Sequence, residues 1–452
     1  MMADYTGIWW RVMALILALS VMTSAQRTKS CDVQGSVAAS NKVDVHCDCM
    51  QRLTQMNLAI AHLTINQTSC SNSGLELRWP DLEALVSPDT FTVVGAHIYF
   101  SQSQPNTTWN SSISRLYFID STFEMLPAHA FRGMGLLEEV KFFGGSIVTI
   151  RSNAFSGLQK LKLIEIANST VETIEREAFN NLESLEDLAF VHTSIGIIES
   201  EAVSLLKQNK AEVRCVTLGT RPSGSGSVIQ DLMGRQLTST GNISLPEYGS
   251  RLLLLKNNIK TLKSRAITSE TLGFLIVGGN HIENVESLAF SMELYNECEI
   301  SAALFVGNTF NYLGNSALAG LKGRDGVSYQ TFIALAQNTF LNVTQQGFLL
   351  SQNLVIFTVD ENKFRCVCDG FNWILSNPDS QNQQELEKEL VLKATCIDGT
   401  YLISYTSSCT DHGTVTTPSA RPPVMETSGA STMSFFSVST SVITFVLART
   451  LN

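Results

Sequence analysis

The sequence predicts an α/β repeat solenoid, in which one parallel β-sheet forms the concave face and disulfide-bonded modules close both ends. Three observations predict this fold: a period of 24 residues, a short alternating apolar stretch at the start of each repeat, and two clusters of four cysteines near the chain ends. With 452 residues, 44% hydrophobic and 16% charged, the chain can bury an extended core.

Four consecutive segments define the repeat. They follow one another at intervals of 24 residues and begin at Ile113, Leu137, Leu161 and Leu185. Two apolar columns stay in register through them, one made of Leu126, Ile150, Ile174 and Ile198, the other of Phe131, Phe155, Phe179 and Val203. Each segment starts with an alternating stretch such as LYFI or VKFF, which is typical of a strand with one buried face. We therefore predict parallel strands near residues 115–119, 139–143, 163–167 and 187–191, with the phenylalanines stacked behind them.

The repeat resembles that of the leucine-rich-repeat family, whose signature is L-x-x-L-x-L-x-x-N. In that family the Asn is buried and bonds the backbone of the turn after the strand, and the stacked units form a horseshoe. The corresponding position is polar or small here, and it is occupied by Ser121, Gly145, Ser169, Thr193, Asn257, Asn280, Asn308, Asn338 and Asn362. The resemblance implies a repeat array over residues 91–361, interrupted by an irregular insertion at about 209–250.

Cysteine-rich modules are expected at both ends of this array. The stretch N-K-F-R-C-V-C-D-G-F-N-W-I resembles the C-terminal flanking module of extracellular leucine-rich-repeat proteins, which we place at residues 362–410. That resemblance implies the pairs Cys366–Cys396 and Cys368–Cys409. The N-terminal cluster resembles the matching N-terminal module, which we place at residues 26–90; it consists of Cys31, Cys47, Cys49 and Cys70. Its pairing stays open, as does the choice between a bond and free thiols for Cys215 and Cys298.

The two termini indicate export. Arg11 precedes a short apolar run, and Thr23 and Ala25 supply small residues before a cleavage site, so residues 1–25 are predicted to be a signal peptide. In an exported chain, disulfides are the expected state of cysteine and sequons are candidates for glycosylation. The sequons begin at Asn66, Asn106, Asn110, Asn168, Asn242 and Asn342.

The C-terminal region has the features of a membrane attachment signal. A stalk rich in Thr and Pro, residues 411–430, precedes the hydrophobic tail 431–452. Small residues, a spacer and a terminal apolar tail are typical of a glycosylphosphatidylinositol (GPI) signal, with attachment expected at Ser428. A short spanning tail and free secretion are the alternatives.

Composition and motifs argue against several functions. The net charge of -10 comes without a basic cluster, which makes nucleic acid an unsuitable partner. The seven histidines include no metal-spaced pair, and no phosphate loop, nucleophile elbow or zincin helix occurs. We therefore expect no enzyme activity and no cofactor.

Residues that alternate with the buried strand positions should point away from the core and are the candidate binding residues. The first two units offer Arg115, Tyr117, Ile119, Glu139, Lys141 and Phe143. The later units offer an apolar strip, expected to be exposed, of Leu253, Leu255, Phe274, Ile276, Leu304, Val306 and Phe332. A large exposed apolar surface usually marks an interaction site. The alternatives are that a tightly curved inner face partly buries these side chains among themselves, or that the register is displaced by one residue, which would exchange the two faces.

These features predict an extracellular, membrane-tethered recognition or adhesion protein. It would bind another extracellular protein, or a second copy of itself, through the concave face. The alternative is a soluble, non-catalytic subunit or matrix component that stabilises another exported protein.

Overall fold

The computed structural model describes residues 31–36, 43–48, 60–68, 74–77, 89–100, 112–205, 250–295, 301–324, 331–344, 346–351, 353–371, 373–374 and 381–410. These residues form a parallel β-solenoid of stacked coils, in which three sheets run along the stack. We call the sheets A, B and C and number the strands in chain order.

Sheet A contains 13 strands. They are β1 (Cys31–Ser36), β2 (Val43–Asp48), β3 (Ile60–Asn66), β5 (Thr90–Val94), β7 (Arg115–Ile119), β9 (Glu139–Phe143), β11 (Leu163–Ala167), β14 (Asp187–Val191), β17 (Arg251–Leu255), β20 (Phe274–Gly278), β23 (Ser301–Val306), β26 (Thr331–Ala336) and β28 (Val355–Thr358). Only the pair β1–β2 is antiparallel among the described pairs of this sheet.

Sheets B and C form the other sides of the coils. Sheet B consists of β4 (Gly74–Leu77), β6 (His97–Phe100), β8 (Thr122–Leu126), β10 (Ser146–Ile150), β12 (Thr170–Ile174), β15 (Ser194–Ile198), β18 (Asn258–Leu262), β21 (His281–Val285), β24 (Thr309–Phe310), β27 (Thr339–Phe340), β29 (Lys363–Phe364) and β30 (Thr395–Cys396). Sheet C consists of β13 (Phe179–Asn180), β16 (Val203–Leu205), β19 (Ile267–Leu272), β22 (Phe290–Leu294) and β25 (Leu321–Gly323). A 3-10 turn (Cys368–Phe371) and two helices, α1 (Gln381–Lys393) and α2 (Leu402–Thr410), follow the last coils.

The strands expected in the four regular repeats are confirmed. They span Arg115–Ile119, Glu139–Phe143, Leu163–Ala167 and Asp187–Val191, and each pairs in parallel with the next in unbroken register. The alternation that predicted them is also present, because Leu116, Phe118, Val140 and Phe142 enter the core while their neighbours do not.

The expectation of α/β repeats with a single sheet is wrong. The described coils contain strands where the prediction placed the back of each unit, and the helices α1 and α2 lie after the array. The physical reason lies in the segments after the turn. SIVTI, TVETI and SIGII are rich in β-branched residues, and TFEML begins with Thr and Phe. All four segments bury their second and fifth residues, which favours a strand with a slight irregularity over a helix.

Stacked phenylalanines fill the core behind sheet A, as predicted. The ring centroids of Phe131 and Phe155 are 5.1 Å apart, and those of Phe155 and Phe179 are 5.0 Å apart. All three side chains are fully buried. A second column, formed by Phe310, Phe340, Phe364 and Trp373, continues to the C-terminal end of the stack.

A ladder of buried polar side chains fixes the turn between sheets A and B. Asn308 Nδ2 donates to the Val277 carbonyl at 2.8 Å, and the amide N–H of Asn308 donates to Asn338 Oδ1 at 3.0 Å. The same pattern is repeated at Asn257, Asn280 and Asn338, and Asn362 Nδ2 donates to the Leu335 carbonyl at the end of the ladder.

Serine and threonine take this position in the earlier coils. Ser169 Oγ donates to the carbonyls of Gly144 and Ala167, and Thr193 Oγ1 donates to those of Ile166 and Val191. Gly145 has no side chain that could bond to this turn. A larger residue would not fit, because a Cβ at this position would lie 2.0 Å from the Ser121 carbonyl oxygen. The backbone bonds Ser146 N–H to Ser121 O and Thr170 N–H to Gly145 O persist at 3.2 and 3.1 Å.

The insertion does not interrupt the stack. Asp187 and Arg251 are 64 residues apart in sequence but occupy paired positions on β14 and β17. Sheets B and C also continue directly across this gap, through β15–β18 and β16–β19. The Thr193 amide N–H donates to Asn257 Oδ1 at 2.8 Å, so the polar ladder crosses it as well. Residues 206–249, with Cys215 and the sequon at Asn242, lie outside the described residues.

One of the two disulfides implied by the resemblance at the C-terminal end is present, between Cys366 and Cys396, while the cysteine-rich end modules stay a prediction. Cys368 is also disulfide-bonded, and its pairing with Cys409 stays a prediction. At the other end, Cys31 is the register partner of Cys47, and Cys47 is disulfide-bonded.

Several predictions fall outside the described residues. These are the signal peptide, the states of Cys49, Cys70 and Cys298, the sequons at Asn106 and Asn110, the stalk, the tail and Ser428. Within the described part of the chain, no helix is long and apolar enough to cross a membrane.

Replacing Phe155 with Ala tests the stacked core. Phe155→Ala should lower the free energy of unfolding by roughly 3–5 kcal/mol, because a buried ring between Phe131 and Phe179 is removed. Denaturant titration of the full chain measures this. Val148→Ala, at a 38% exposed position of the same repeat, is the control and should change the value by no more than about 0.5 kcal/mol. A loss below about 1 kcal/mol for Phe155→Ala would contradict the column.

Candidate binding face

The candidate site is the face of sheet A that points away from the main core, which we call the outer face. The register predicted for it is confirmed. Leu252, Leu254, Leu275 and Val277 belong to the main core, and the residues that alternate with them do not. The structure divides the outer face into two parts of different character.

The first part, which we call the open half, lies on β7, β9, β11 and β14. Its central residues are Tyr117, Lys141 and Glu165, which are register neighbours and are all partly exposed. Arg115, Glu139 and Asp187 lie on one side of them, and Ile119, Phe143 and Val191 lie on the other. Glu139, Glu165 and Asp187 carry the negative charges of this surface. Only Glu139 was among the expected binding residues, although Glu165 and Asp187 occupy outward strand positions of the same repeat.

Electrostatic contacts hold the side chains of the open half in place. Lys141 Nζ lies 2.7 Å from Glu139 Oε1 and 3.5 Å from Glu165 Oε2, and 5.9 Å from the centre of the Tyr117 ring. Burial and, next, the negative charge of Glu139 raise the pKa of the Tyr117 hydroxyl, so this group stays protonated and can donate a hydrogen bond. The open half therefore presents an aromatic ring, a hydroxyl donor and charges of both signs on a regular sheet.

The second part lies on β20, β23 and β26, and we call it the apolar cluster. It is separate from the main core and consists of Phe274, Ile276, Ala302, Leu304, Val306, Phe332, Ala334 and Ala336. Leu253 and Leu255 pack against it from β17 and are partly exposed. Register pairing brings these residues side by side, for example Ile276 beside Leu304 and Leu304 beside Ala334. The predicted continuity of the strip is thus present.

The expectation that this strip is exposed is wrong. The eight residues of the apolar cluster are between 0 and 9% exposed. Strands β20, β23 and β26 are therefore buried on both faces, which explains why their sequences FLIVG, SAALFV and TFIALA are almost continuously apolar. Alanines beside large side chains let this layer pack closely. This alternation of small and large residues is the sequence feature that could have predicted the burial of the strip.

An ion pair marks the boundary between the two parts. Arg251 contacts the carboxylate of Asp187 on the neighbouring strand, and both side chains are largely buried. Arg251 is in turn the register partner of Phe274 in the apolar cluster. The charged surface consequently ends where the apolar layer begins.

Other predicted site residues are distributed elsewhere. Asn168 and Asn342 are exposed, and Asn66 is partly exposed with its Oδ1 accepting bonds from the N–H and hydroxyl of Thr68. Their glycosylation stays a prediction.

His192, at an exposed turn with positive φ, has its pKa lowered by burial and by the charge of Lys256. In the described residues, no group of three His, Cys, Asp or Glu side chains is placed to hold a metal ion.

Comparison with known families agrees with this architecture. A family model described as a BspA-type leucine-rich-repeat region matches residues 105–213 in six copies. The match identifies the stacked coils of this region as leucine-rich repeats, and such repeats favour a role in protein interaction. No curated protein matches the chain.

Replacing Phe274 with Glu tests whether the apolar cluster is closed to water. Phe274→Glu should lower the free energy of unfolding by more than about 2 kcal/mol, because it places a carboxylate among buried apolar side chains. The control is Ile119→Glu, at a partly exposed outward position of the open half whose register neighbours Val94 and Phe143 carry no charge, where the change should stay below about 1 kcal/mol. Both are measured by denaturant titration. Equal stability of the two variants would mean that water reaches Phe274.

Proposed function

We propose that the chain is an extracellular protein that binds another protein, or a second copy of itself, through the open half of the outer face. One observation carries the proposal above all others. Tyr117, Lys141 and Phe143 are partly exposed on adjacent strands of a regular sheet, among charges that are already held in position. Aromatic side chains are enriched at protein interfaces, and Tyr is enriched among the residues that dominate binding energy. Charges that are already held in position lose less conformational freedom when a partner binds.

The rigidity of the sheet supports this role. Each strand of the open half is hydrogen-bonded to a neighbour on both sides, and its opposite face is anchored by buried residues such as Phe118 and Phe142. Side chains on such a scaffold lose little conformational entropy on binding, because the fold has already restricted them. The apolar cluster is buried and lies beside the open half, so it is not the proposed contact surface.

Export and tethering form the second part of the proposal. The leader, the sequons and the disulfide between Cys366 and Cys396 all favour an oxidising, extracellular location. The stalk and the hydrophobic tail favour attachment by a lipid anchor. A soluble subunit that stabilises another exported protein is the alternative, and it would use the same face without the anchor.

Crosslinking in place tests the binding face. A photo-crosslinking amino acid is introduced instead of Phe143 in the full chain, expressed on cells, and the crosslinked products are separated by mass. We expect a discrete product from this position and none when the same amino acid replaces Val148, which is exposed on sheet B. Lys141→Glu should weaken formation of the product about tenfold, because it places three negative charges together and removes the contact with Tyr117. Products from position 148 alone would move the site to sheet B and refute the proposal.

Enzymatic release tests the anchor. Treating cells that display the full chain with phosphatidylinositol-specific phospholipase C should release it into the medium, and its C-terminal peptide should end near Ser428. A chain shortened at residue 430 should be secreted without treatment. Recovery of a peptide that contains Phe445 from surface protein would instead indicate that the tail is retained.

A further inference from the structure

A continuous apolar line crosses the strands along one side of the open half and extends by one strand beyond it at each end, onto β5 and β17. We call it the apolar row. It consists of the last outward residue of six consecutive strands, namely Val94, Ile119, Phe143, Ala167, Val191 and Leu255. Ala167 is buried between its larger neighbours and the other five are partly exposed. Because neighbouring strands are about 4.8 Å apart, the row is about 24 Å long.

A band of charges runs parallel to this row on the other side of the face. It is formed by Arg115, Glu139, Lys141, Glu165, Asp187 and Arg251, three basic and three acidic residues. The ion pairs Arg115–Glu139, Lys141–Glu139 and Lys141–Glu165 connect the first four of these residues, and Arg251 pairs with Asp187. The band has no net charge, so it selects a partner by the positions of charges rather than by an overall sign.

We propose that the partner segment bound here is an amphipathic α-helix that lies along the apolar row, across the strands. This inference rests on the proposed function and names the kind of partner. The apolar stripe of the helix would cover Ile119, Phe143 and Val191, and its polar flank would lie over the charge band. A helix of about 16 residues spans the 24 Å of the row.

Backbone hydrogen bonding favours a helix over an extended peptide. The N–H and C=O groups of the strands β5 to β17 are used within sheet A, where each of them has a neighbour on both sides. An extended peptide laid across this face would find no backbone partners and would lose those it makes with water. A helix satisfies its own backbone and presents only side chains.

The spacing of side chains favours the same choice. Successive turns of a helix place apolar residues about 5.4 Å apart along its axis, close to the spacing of about 4.8 Å between strands. In an extended peptide, side chains on one face recur about every 6.8 Å and fall out of step with the strands within two or three contacts. The apolar side chains of a helix can therefore contact more residues of the apolar row than those of an extended peptide.

The charge band adds complementarity along the same direction. Glu165 and Asp187 are register-related neighbours of Lys141 and Arg251, so acidic and basic side chains follow one another along the stack. A helix with residues of opposite sign spaced three or four apart on its flank can place each charge beside its opposite. Lys141 is already restrained by Glu139 and Glu165, which lowers the cost of fixing it at an interface.

Selection from two peptide libraries tests the inference. Both contain 18-residue peptides of the same composition, one with apolar residues at helical spacing of three and four, the other with apolar residues at every second position. They are displayed on yeast and sorted against the full chain, and against the variants Phe143→Asp and Val148→Asp. We expect enrichment of the helical library alone, with binding at least tenfold weaker to Phe143→Asp and unchanged for Val148→Asp, and a gain of helical circular dichroism when a selected peptide binds.

Each other outcome overturns the inference. Enrichment of the alternating library would identify an extended partner, and enrichment of neither would exclude a short helical segment as the occupant. Binding that survives Phe143→Asp but not Val148→Asp would place the helix on sheet B.

The crosslinking experiment separates these results from the proposed function. A product from position 143 without helical selection leaves the binding face intact and rejects only the helix. A melting temperature of Phe143→Asp close to that of Val148→Asp excludes misfolding as the cause of lost binding.

Discussion

The turn between sheets A and B is the constraint on which the rest of this molecule depends. At that turn the chain leaves one sheet for another, and its amide and carbonyl groups are buried. The ladder from Thr193 through Asn257 and Asn308 to Asn362 satisfies these groups by bonding each coil to its neighbours. An unpaired buried polar group costs about 1–3 kcal/mol, so a coil that lost its ladder bonds would be destabilised at several places together.

Hydrogen bonds of the ladder and of the backbone fix this corner of the described coils. The strands of sheet A therefore stay in register from β5 to β23, and their side chains form straight rows. Those rows give the outer face its properties. In the first coils the outward positions hold Tyr117, Lys141 and Glu165, and the face is partly exposed. In the later coils the same positions hold Ile276, Leu304 and Ala334, and the face is buried. The binding proposal follows from this division.

The main elements of the fold could be predicted from the sequence because they repeat. The strand Glu139–Phe143 and the column of Phe131, Phe155 and Phe179 follow from a period of 24 residues. The Cys366–Cys396 bond was implied only by the resemblance to a known end module. The outward register of Tyr117 and Phe274 was also predictable, since alternation within a strand depends only on neighbouring residues.

The sequence by itself thus determined the repeat, the four regular strands of sheet A and the stacked core, because each is set by local order along the chain. The polar ladder was implied by the resemblance to leucine-rich repeats. Only the tertiary structure decided that the backs of the coils are strands, that β14 pairs with β17 across 64 residues, and that Phe274 is buried while Tyr117 is partly open. The physical reason is that the exposure of an outward side chain depends on the size of its neighbours in adjacent coils, such as Ala302 beside Phe274, and on how the coils pack in three dimensions. Neither is encoded by the alternation of residues within one strand.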